Sequence, residues 1–200
     1  MSLNLSNIEN EHILLTFEIK LPSGEPVILR PLEHGDKNIL AEFLNNLSEQ
    51  TREYYTLDSY DESAAKEMCS AINKYDKLRF VVAKKTTSKL IALFEFSFDI
   101  PESDKQRFQK YKLDLNSKID CRMGPCISDE YQNQGIGSVV FPYLLDIAKK
   151  FGQKRLILWG GVFEKNKKAI NFYTKNGFKR LGSFRDPESK KSIDMIIDIN

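Results

Sequence analysis

The sequence predicts an α/β fold in one domain, residues 1–200, with at least part of its sheet antiparallel. Three observations predict it. Strand-like runs alternate with amphipathic runs of helical spacing along the chain. Two strand runs, Arg79–Ala83 and Leu90–Phe98, are joined by a polar turn around Thr86–Ser88 and so pair as a hairpin. Residues 127–151 read as a strand end, a polar and glycine turn, and then a helix. At 200 residues the chain can bury a substantial core, and 41% hydrophobic with 29% charged residues is ordinary for a soluble globular protein. A net charge of +2 does not point to nucleic acid. The local bias at Lys149, Lys150, Lys154, Arg155, Lys165, Lys167 and Lys168 is either a solvated face or an attraction for phosphates. Cys69, Cys121 and Cys126 are odd in number and form no C-x-x-C pair, which argues for a reducing compartment. With neither a signal-peptide pattern nor an apolar run of spanning length, a cytoplasmic protein without a membrane partner is expected.

Residues 1–10 are polar and expected to fray. His12–Ile19 has strand-like content, and Pro22-Ser23-Gly24 turns it into Pro26–Arg30, so residues 1–24 form a leading hairpin segment ahead of a core at 25–199. Asp36 is placed to N-cap a helix with Ile39, Leu40, Phe43, Leu44 and Leu47 on one face. Ser48–Tyr60 is a polar connection bearing Tyr54, Tyr55 and Tyr60, and Asp61–Tyr75 reads as a second helix with Ala64, Ala65, Met68, Ile72 and Tyr75 on one side. In the hairpin Phe94, Phe96 and Phe98 share one face and Leu93 and Glu95 the other, so Glu95 faces either a cleft or, more commonly at such a position, solvent. The charged stretch 101–116 is either a short helix or an extended insertion. Lys118–Ser128 is the strand ahead of the glycine turn, and its Gly124-Pro125 predicts a bulge or a parting from a neighbour, because proline has no N–H for the ladder. Ile136, Val140, Leu144, Ile147, Ala148 and Phe151 mark the next helix, in which Pro142 predicts a kink or a late start. Arg155–Val162 is a strand containing Gly160 and Gly161. Asn166 caps the last helix, Gly177 supplies its left-handed stop, and Phe178 folds back near Phe172 and Tyr173. Strands near 179–184 and 192–199 complete the sheet.

The turn Tyr131-Gln132-Asn133-Gln134-Gly135-Ile136-Gly137-Ser138 has the layout of an anion cradle. Glycines let backbone approach a phosphate, and the first N–H groups of the helix, helped by its dipole, point at the oxygens. A Walker A loop would need Lys and Ser or Thr after Gly137, and a Rossmann fingerprint a third small residue where Val140 stands, so neither fits. The pattern Gln/Arg-x-x-Gly-x-Gly/Ala over Gln132–Gly137 resembles the pyrophosphate loop of the Gcn5-related N-acetyltransferase (GNAT) superfamily. Asn166-x-x-Ala169-x-x-Phe172-Tyr173, followed by Gly177-Phe178, resembles that family's second motif at the expected separation. Arg30-Pro31-Leu32 ahead of a capped helix is similar to the start of the subgroup that includes ribosomal-protein N-terminal acetyltransferases. The resemblance implies a mixed, mostly antiparallel twisted sheet with helices on both faces, whose strands part near the cofactor site. There the pantetheine arm would insert beside Gly124-Pro125, with Gly160 and Gly161 allowing close approach.

It also implies a function: transfer of an acetyl group from acetyl-CoA to a primary amine by direct attack in a ternary complex. Gln132, Asn133, Gln134, Gly135, Ile136, Gly137 and Ser138 would bind the pyrophosphate, Cys126 and Ile127 would offer N–H groups to the thioester carbonyl, and Asn166 would contact the pantetheine arm. Tyr173 stands at the general-acid position, and a phenol of pKa about 10 beside a thiol of about 8.5 is protonated at neutral pH. Where several family members carry a basic Glu this chain reads Asp120-Cys121-Arg122, which leaves Asp120, Glu95, a water relay or attack by an already neutral amine. Cys121 has no His at suggestive spacing for nucleophilic catalysis, and His12 and His34 lack metal-ligand spacing, so no metal is implied. The acceptor is a small-molecule amine (polyamine, amino acid or amino-bearing antibiotic) or a protein N-terminus. Residues 48–60, whose tyrosines either touch substrate or pack on the core edge, and the insertion 99–119 would decide which. Monomer and homodimer both stay open. The alternative reading is a non-catalytic module that senses acyl-CoA.

Overall fold

The computed structural model describes residues 3–5, 8, 11–72, 76–186 and 188–199. It has the predicted mixed, mostly antiparallel sheet with helices, and the chain forms two compact units. The first comprises Leu3–Glu95 and Pro125–Tyr143, the second Phe96–Gly124 and the chain from Leu144 onward.

In the first unit β1 (Phe17–Lys20), β2 (Pro26–Pro31) and β3 (Lys77–Lys84) pair antiparallel, with Ile28 opposite both Glu18 and Ala83, and β4 (Leu90–Ser97) follows in the order. The strand expected from His12 starts only at Phe17. His12–Leu15 is a 3-10 turn, closed locally by Leu14 N–H donating to the Glu11 carbonyl (3.0 Å) and Thr16 Oγ1 to that of His12 (2.8 Å). Helix α1 (Lys37–Asn45) buries Leu40, Ala41, Phe43 and Leu44 as its pattern predicts. Asp36 precedes it but does not cap it: its carboxylate accepts both Arg30 NH groups (2.6 and 2.7 Å) and the Glu33 N–H (2.9 Å), a bidentate charged pair that outcompetes a single helix donor. The connection expected at 48–60 holds a further helix, α2 (Glu49–Tyr54), capped by Ser48. Helix α3 (Glu62–Ser70) is capped by Asp61, which accepts from the N–H groups of Ser63 (2.8 Å) and Ala64 (3.3 Å). It stops at Ser70, short of the predicted end, and Tyr75 lies outside the described residues. Helices α1 and α3 pack their apolar faces with Val81, Ala83, Leu90, Leu93 and Cys126 into one core. Strand β4 is buried along its whole length, so the expectation of a solvent-facing Glu95 is wrong: both faces of the strand are covered.

In the second unit the charged insertion is helical, α4 (Glu102–Gln109), and its Phe108 packs with Ile100 and Leu115 on Ile157 and Ile196. Arg107 Nε bonds both oxygens of the fully buried Asp194 (3.0 and 2.9 Å), and Tyr111 donates to the same carboxylate (3.0 Å). Strand β5 (Asp120–Ile127) runs parallel to β6 (Arg155–Leu158) from Asp120↔Arg155 to Met123↔Leu158, after which Trp159 N–H donates to the Met123 carbonyl (2.9 Å) and the ladder ends. The strand expected over Arg155–Val162 is therefore two. Gly160 and Gly161 take left-handed φ of 68° and 71° and turn the chain into β7 (Val162–Phe163), which pairs antiparallel with β9 (Lys191–Asp198), as β6 and β8 (Lys179–Arg185) also do. Helix α5 (Ile136–Lys150) carries Pro142 inside it and starts at Ile136, so the start is not late; the proline forfeits one intrahelical bond within an otherwise apolar-faced helix. Helix α6 (Lys167–Lys175) has the predicted Asn166 cap, whose Oδ1 accepts from Ala169 N–H (3.0 Å), and Gly177 ends it at φ 93°.

The two turn glycines separate backbone strain from collision. A Cβ at Gly161 would lie 2.8 Å from the Ile193 carbonyl oxygen and 2.9 Å from the Phe184 ring, whereas one at Gly160 would meet nothing within 4 Å. Gly160→Ala is expected to cost about 1 kcal/mol through its left-handed φ alone, and Gly161→Ala clearly more, read as a larger fall in urea midpoint at unchanged m-value.

Candidate active site

From the end of β5 a 3-10 turn at Asp129–Tyr131 brings the chain to the glycine turn. Asn133 and Gly135 adopt φ of 62° and 81°, and helix α5 starts directly after them. The N–H groups of residues 133–138 meet no protein acceptor among the described residues; the first bond of the helix runs from Val139 N–H to the Gly135 carbonyl (3.1 Å). No acidic side chain occupies the first turn of the helix. A run of aligned donors at a positive dipole end is a phosphate-shaped site. Gly135 cannot be replaced without loss: besides its φ, a Cβ there would come within 3.3 Å of Pro22.

The loop is held from beneath by its side chains. Gln132 Nε2 donates to Thr51 Oγ1 (2.9 Å) and to the Ile127 carbonyl (3.0 Å), so the motif glutamine spends both amide hydrogens on the scaffold of the cradle. Gln134 Nε2 donates to the Glu130 carbonyl (2.5 Å). Asp129 accepts from Ser48 N–H (2.8 Å), Ser48 Oγ (2.5 Å) and Thr51 Oγ1 (2.7 Å). Burial pushes its carboxyl up, but these hydrogen bonds outweigh that and hold it below the usual range.

At the end of β5, Ser128 N–H donates to Ile91 of β4 (2.9 Å). Strand alternation then turns the N–H of Cys126 to the β4 side and that of Ile127 away from it. Of the two residues expected to offer a donor, Ile127 is the one whose N–H leaves the β4 ladder.

In the second unit Asn166 Oδ1 is engaged as the α6 cap, and Tyr173 stands on the buried face of that helix, 6% exposed. Its ring lies edge-on between Phe172 and Phe178, both at 5.2 Å. Its hydroxyl has no hydrogen-bond partner among the described residues, and burial alone raises its pKa well above the ordinary phenol value.

A model of the acetyltransferase (GNAT) family matches residues 41–178. The chain belongs to that family. An acetyltransferase of Pseudomonas aeruginosa is 25% identical over 138 residues, 68% of this chain and 67% of its own. The ribosomal-protein-S5-alanine acetyltransferase of Vibrio fischeri superposes at a TM-score of 0.70 and 15% identity, over 92% of this chain and 97% of its own. The spermidine N-acetyltransferase of Vibrio cholerae, solved with CoA and spermine, does so at 0.63 and 22% identity, over 86% and 95%.

Other residues that could serve GNAT chemistry are engaged elsewhere. Asp120 is 0% exposed, bonds Arg155 through both oxygens (2.6 and 2.7 Å) and accepts the Asn116 N–H (2.6 Å). Glu95, 6% exposed, takes Arg79 Nε on one oxygen (2.7 Å) and the Tyr55 hydroxyl on the other. Tyr55 and Tyr60 both pack against the core of the first unit, and Tyr60 bonds the Tyr55 and Arg52 carbonyls and takes the Leu57 N–H (3.1 Å). Among the described residues no group of three or more His, Cys, Asp or Glu side chains could hold a metal, and no helix is long and apolar enough to cross a membrane. Sequence reasoning missed Ser48, Thr51 and Asp129. Ser48-x-x-Thr51 is a recognisable cap pattern, but nothing in the sequence ties it to an aspartate 81 residues on.

All the cysteines are free and buried. Burial lifts the Cys69 thiol to about 11 and raises those of Cys121 and Cys126 as well, which disfavours a thiolate at neutral pH. Ellman's reagent is expected to find essentially no reactive thiol in the native protein and all three after denaturation; a fast-reacting native thiol would contradict this.

Proposed function

We propose that this chain, its two units acting as one acetyltransferase domain, transfers an acetyl group from acetyl-CoA to a primary amine by direct attack in a ternary complex. The carrying observation is the run of N–H groups at residues 133–138 without a protein acceptor among the described residues, in the stretch whose sequence resembles the family's pyrophosphate loop. Those donors would hold the pyrophosphate, with Gln132 as their scaffold; Ile127 N–H is the donor available to the thioester carbonyl, and Asn166 would face the pantetheine arm. When bound, acetyl-CoA supplies the activated acyl group. The protein's part is to fix that group, polarise its carbonyl and supply a proton to the departing sulfur.

Tyr173 fits the last task. Its desolvated phenol keeps its proton across the neutral range and has no internal acceptor to hold it back. The nucleophile receives less help. With both oxygens of Asp120 on Arg155, and those of Glu95 shared between Arg79 and Tyr55, each carboxylate is buried and engaged through both oxygens, which argues against either as the base. We therefore favour an amine that arrives neutral or loses its proton to water. Primary amines are the acceptor class: spermine accompanies CoA in the Vibrio cholerae enzyme, and an aminoglycoside accompanies it in a further structural neighbour.

Calorimetric titration with acetyl-CoA, followed by thiol release against a panel of amines and N-terminal peptides, tests the reading. Binding with amine-dependent release supports it, and binding without release for any acceptor favours an acyl-CoA sensor. Failure to bind would overturn it. Tyr173→Phe is expected to lower kcat by about 10²- to 10⁴-fold while acetyl-CoA affinity stays within about threefold. Unchanged turnover would remove Tyr173 as the acid. Without a dedicated base, kcat/KM should climb about tenfold per pH unit from pH 6 toward the pKa of the acceptor amine. The raised phenol pKa of Tyr173 puts no alkaline fall below about pH 10. An acid limb near pH 6 to 7 that disappears in Glu95→Gln would show that a carboxylate base operates after all.

A further inference from the structure

The cradle loop and the segment 48–60 are joined by one chain of hydrogen bonds in the first unit. Asp129, three residues ahead of Gln132, receives both the backbone and the hydroxyl of Ser48 and the hydroxyl of Thr51. Thr51 in turn accepts from Gln132, whose other amide hydrogen goes to the Ile127 carbonyl. The Thr51 hydroxyl thus uses its single donor on Asp129 and an acceptor lone pair on Gln132, a role that a methyl group cannot fill. From Thr51 the order continues along α2. Arg52 Nη2 donates to the Asn45 carbonyl (2.8 Å) at the end of α1, its guanidinium lies 4.8 Å over the Tyr60 ring, and the Tyr55 hydroxyl reaches Glu95. The segment is therefore suspended between the cradle loop at one end and β4 at the other.

We infer that Asp129 and Thr51 are positioning residues that couple occupancy of the cradle to the order of the segment 48–60. The inference rests on the proposed binding of acetyl-CoA through the N–H groups of residues 133–138. An anion on those groups restricts the loop that carries Asp129 and Gln132; restricting their side chains lowers the entropy still to be lost when Ser48 and Thr51 are fixed, so the segment gains order without any contact to the ligand. Loss of the Thr51 hydroxyl or of the Asp129 carboxylate removes one of the two side-chain links between the stretches, Thr51–Gln132 or Asp129–Ser48, together with the Thr51–Asp129 bond that joins them, and leaves the backbone donors of the cradle in place.

Amide hydrogen exchange of the full chain, with and without saturating CoA, reads this directly. In the unsubstituted protein CoA should slow exchange at residues 133–138 and, by about fivefold or more, across 48–60, the lower end of ordinary coupling between sites. In Thr51→Val and Asp129→Asn the cradle amides should still be protected by CoA, while the CoA-dependent slowing at 48–60 falls below about twofold. Thr51→Ser, which keeps the hydroxyl, should restore it. A merely structural role would loosen 48–60 equally with and without CoA and would leave that ratio unchanged, which overturns the inference. Thr51→Ser tests the same point if the other variants fold poorly: retention of the ratio in the serine variant supports the inference, and loss of it with the hydroxyl present overturns it. If CoA protects the cradle of the unsubstituted protein without altering 48–60, this inference alone fails. If CoA protects neither stretch, the acetyl-CoA reading fails with it.

Discussion

The first unit is arranged around one turn, Asn133 to Ser138, whose backbone donors meet no protein acceptor among the described residues. The first N–H groups of any helix lack an intrahelical acceptor, and Asn133, Gln134, Gly135 and Ser138 are exposed, so it is the shape of the turn that has to be supported. Here the holding is done by side chains behind the loop. Gln132 ties it to Ile127 and Thr51, Asp129 ties it to Ser48, Gln134 bonds the Glu130 carbonyl, and Pro22 of the leading hairpin sits close enough to Gly135 to bar a side chain. The left-handed φ of Asn133 and Gly135 gives the loop its shape, and asparagine and glycine are the residues that adopt it at least cost.

A second regularity is that the deeply buried carboxylates are matched to guanidinium groups. Asp36 faces Arg30, Glu95 faces Arg79, Asp120 faces Arg155 and Asp194 faces Arg107. Such pairs contribute little net stability over an apolar core, but removing one member leaves a stranded charge, so they fix geometry more than they add free energy. Their effect on chemistry is to take acids out of circulation. What remains available is backbone N–H groups and a phenol, which suits a reaction whose needs are polarisation of a carbonyl and a proton for a leaving thiolate.

The glycines at 160 and 161 act on the opposite scale. They follow the parallel pairing of β5 with β6 and swing the chain into a two-residue strand against β9. Gly161 is pressed against the Ile193 carbonyl and the Phe184 ring, which makes close backbone packing as much its purpose as the turn itself. Past Met123, β5 runs on through Pro125, which has no donor to offer, to Ile127, whose N–H turns away from β4.

Much of this was legible in the residues. The cradle, the helix after it, the Asn166 cap, the Gly177 stop and the Phe178 contact with Tyr173 are all local, set by spacing and by backbone freedom within a few positions. The alternation of Phe94, Glu95 and Phe96 was legible too, but its meaning was not, because a pattern of period two cannot tell a strand with one open face from one covered on both. Asp36 has the chemistry of a cap and Asp120 that of a base. Only the arrival of Arg30 and Arg155 decides that each is an ion-pair partner. The sequence by itself determined where a glycine turn opens into a helix and where a tyrosine stands on the apolar face of the last one. Tertiary structure decided which carboxylates are spent and which residues support the turn, since those depend on partners up to 87 positions away that no local pattern records.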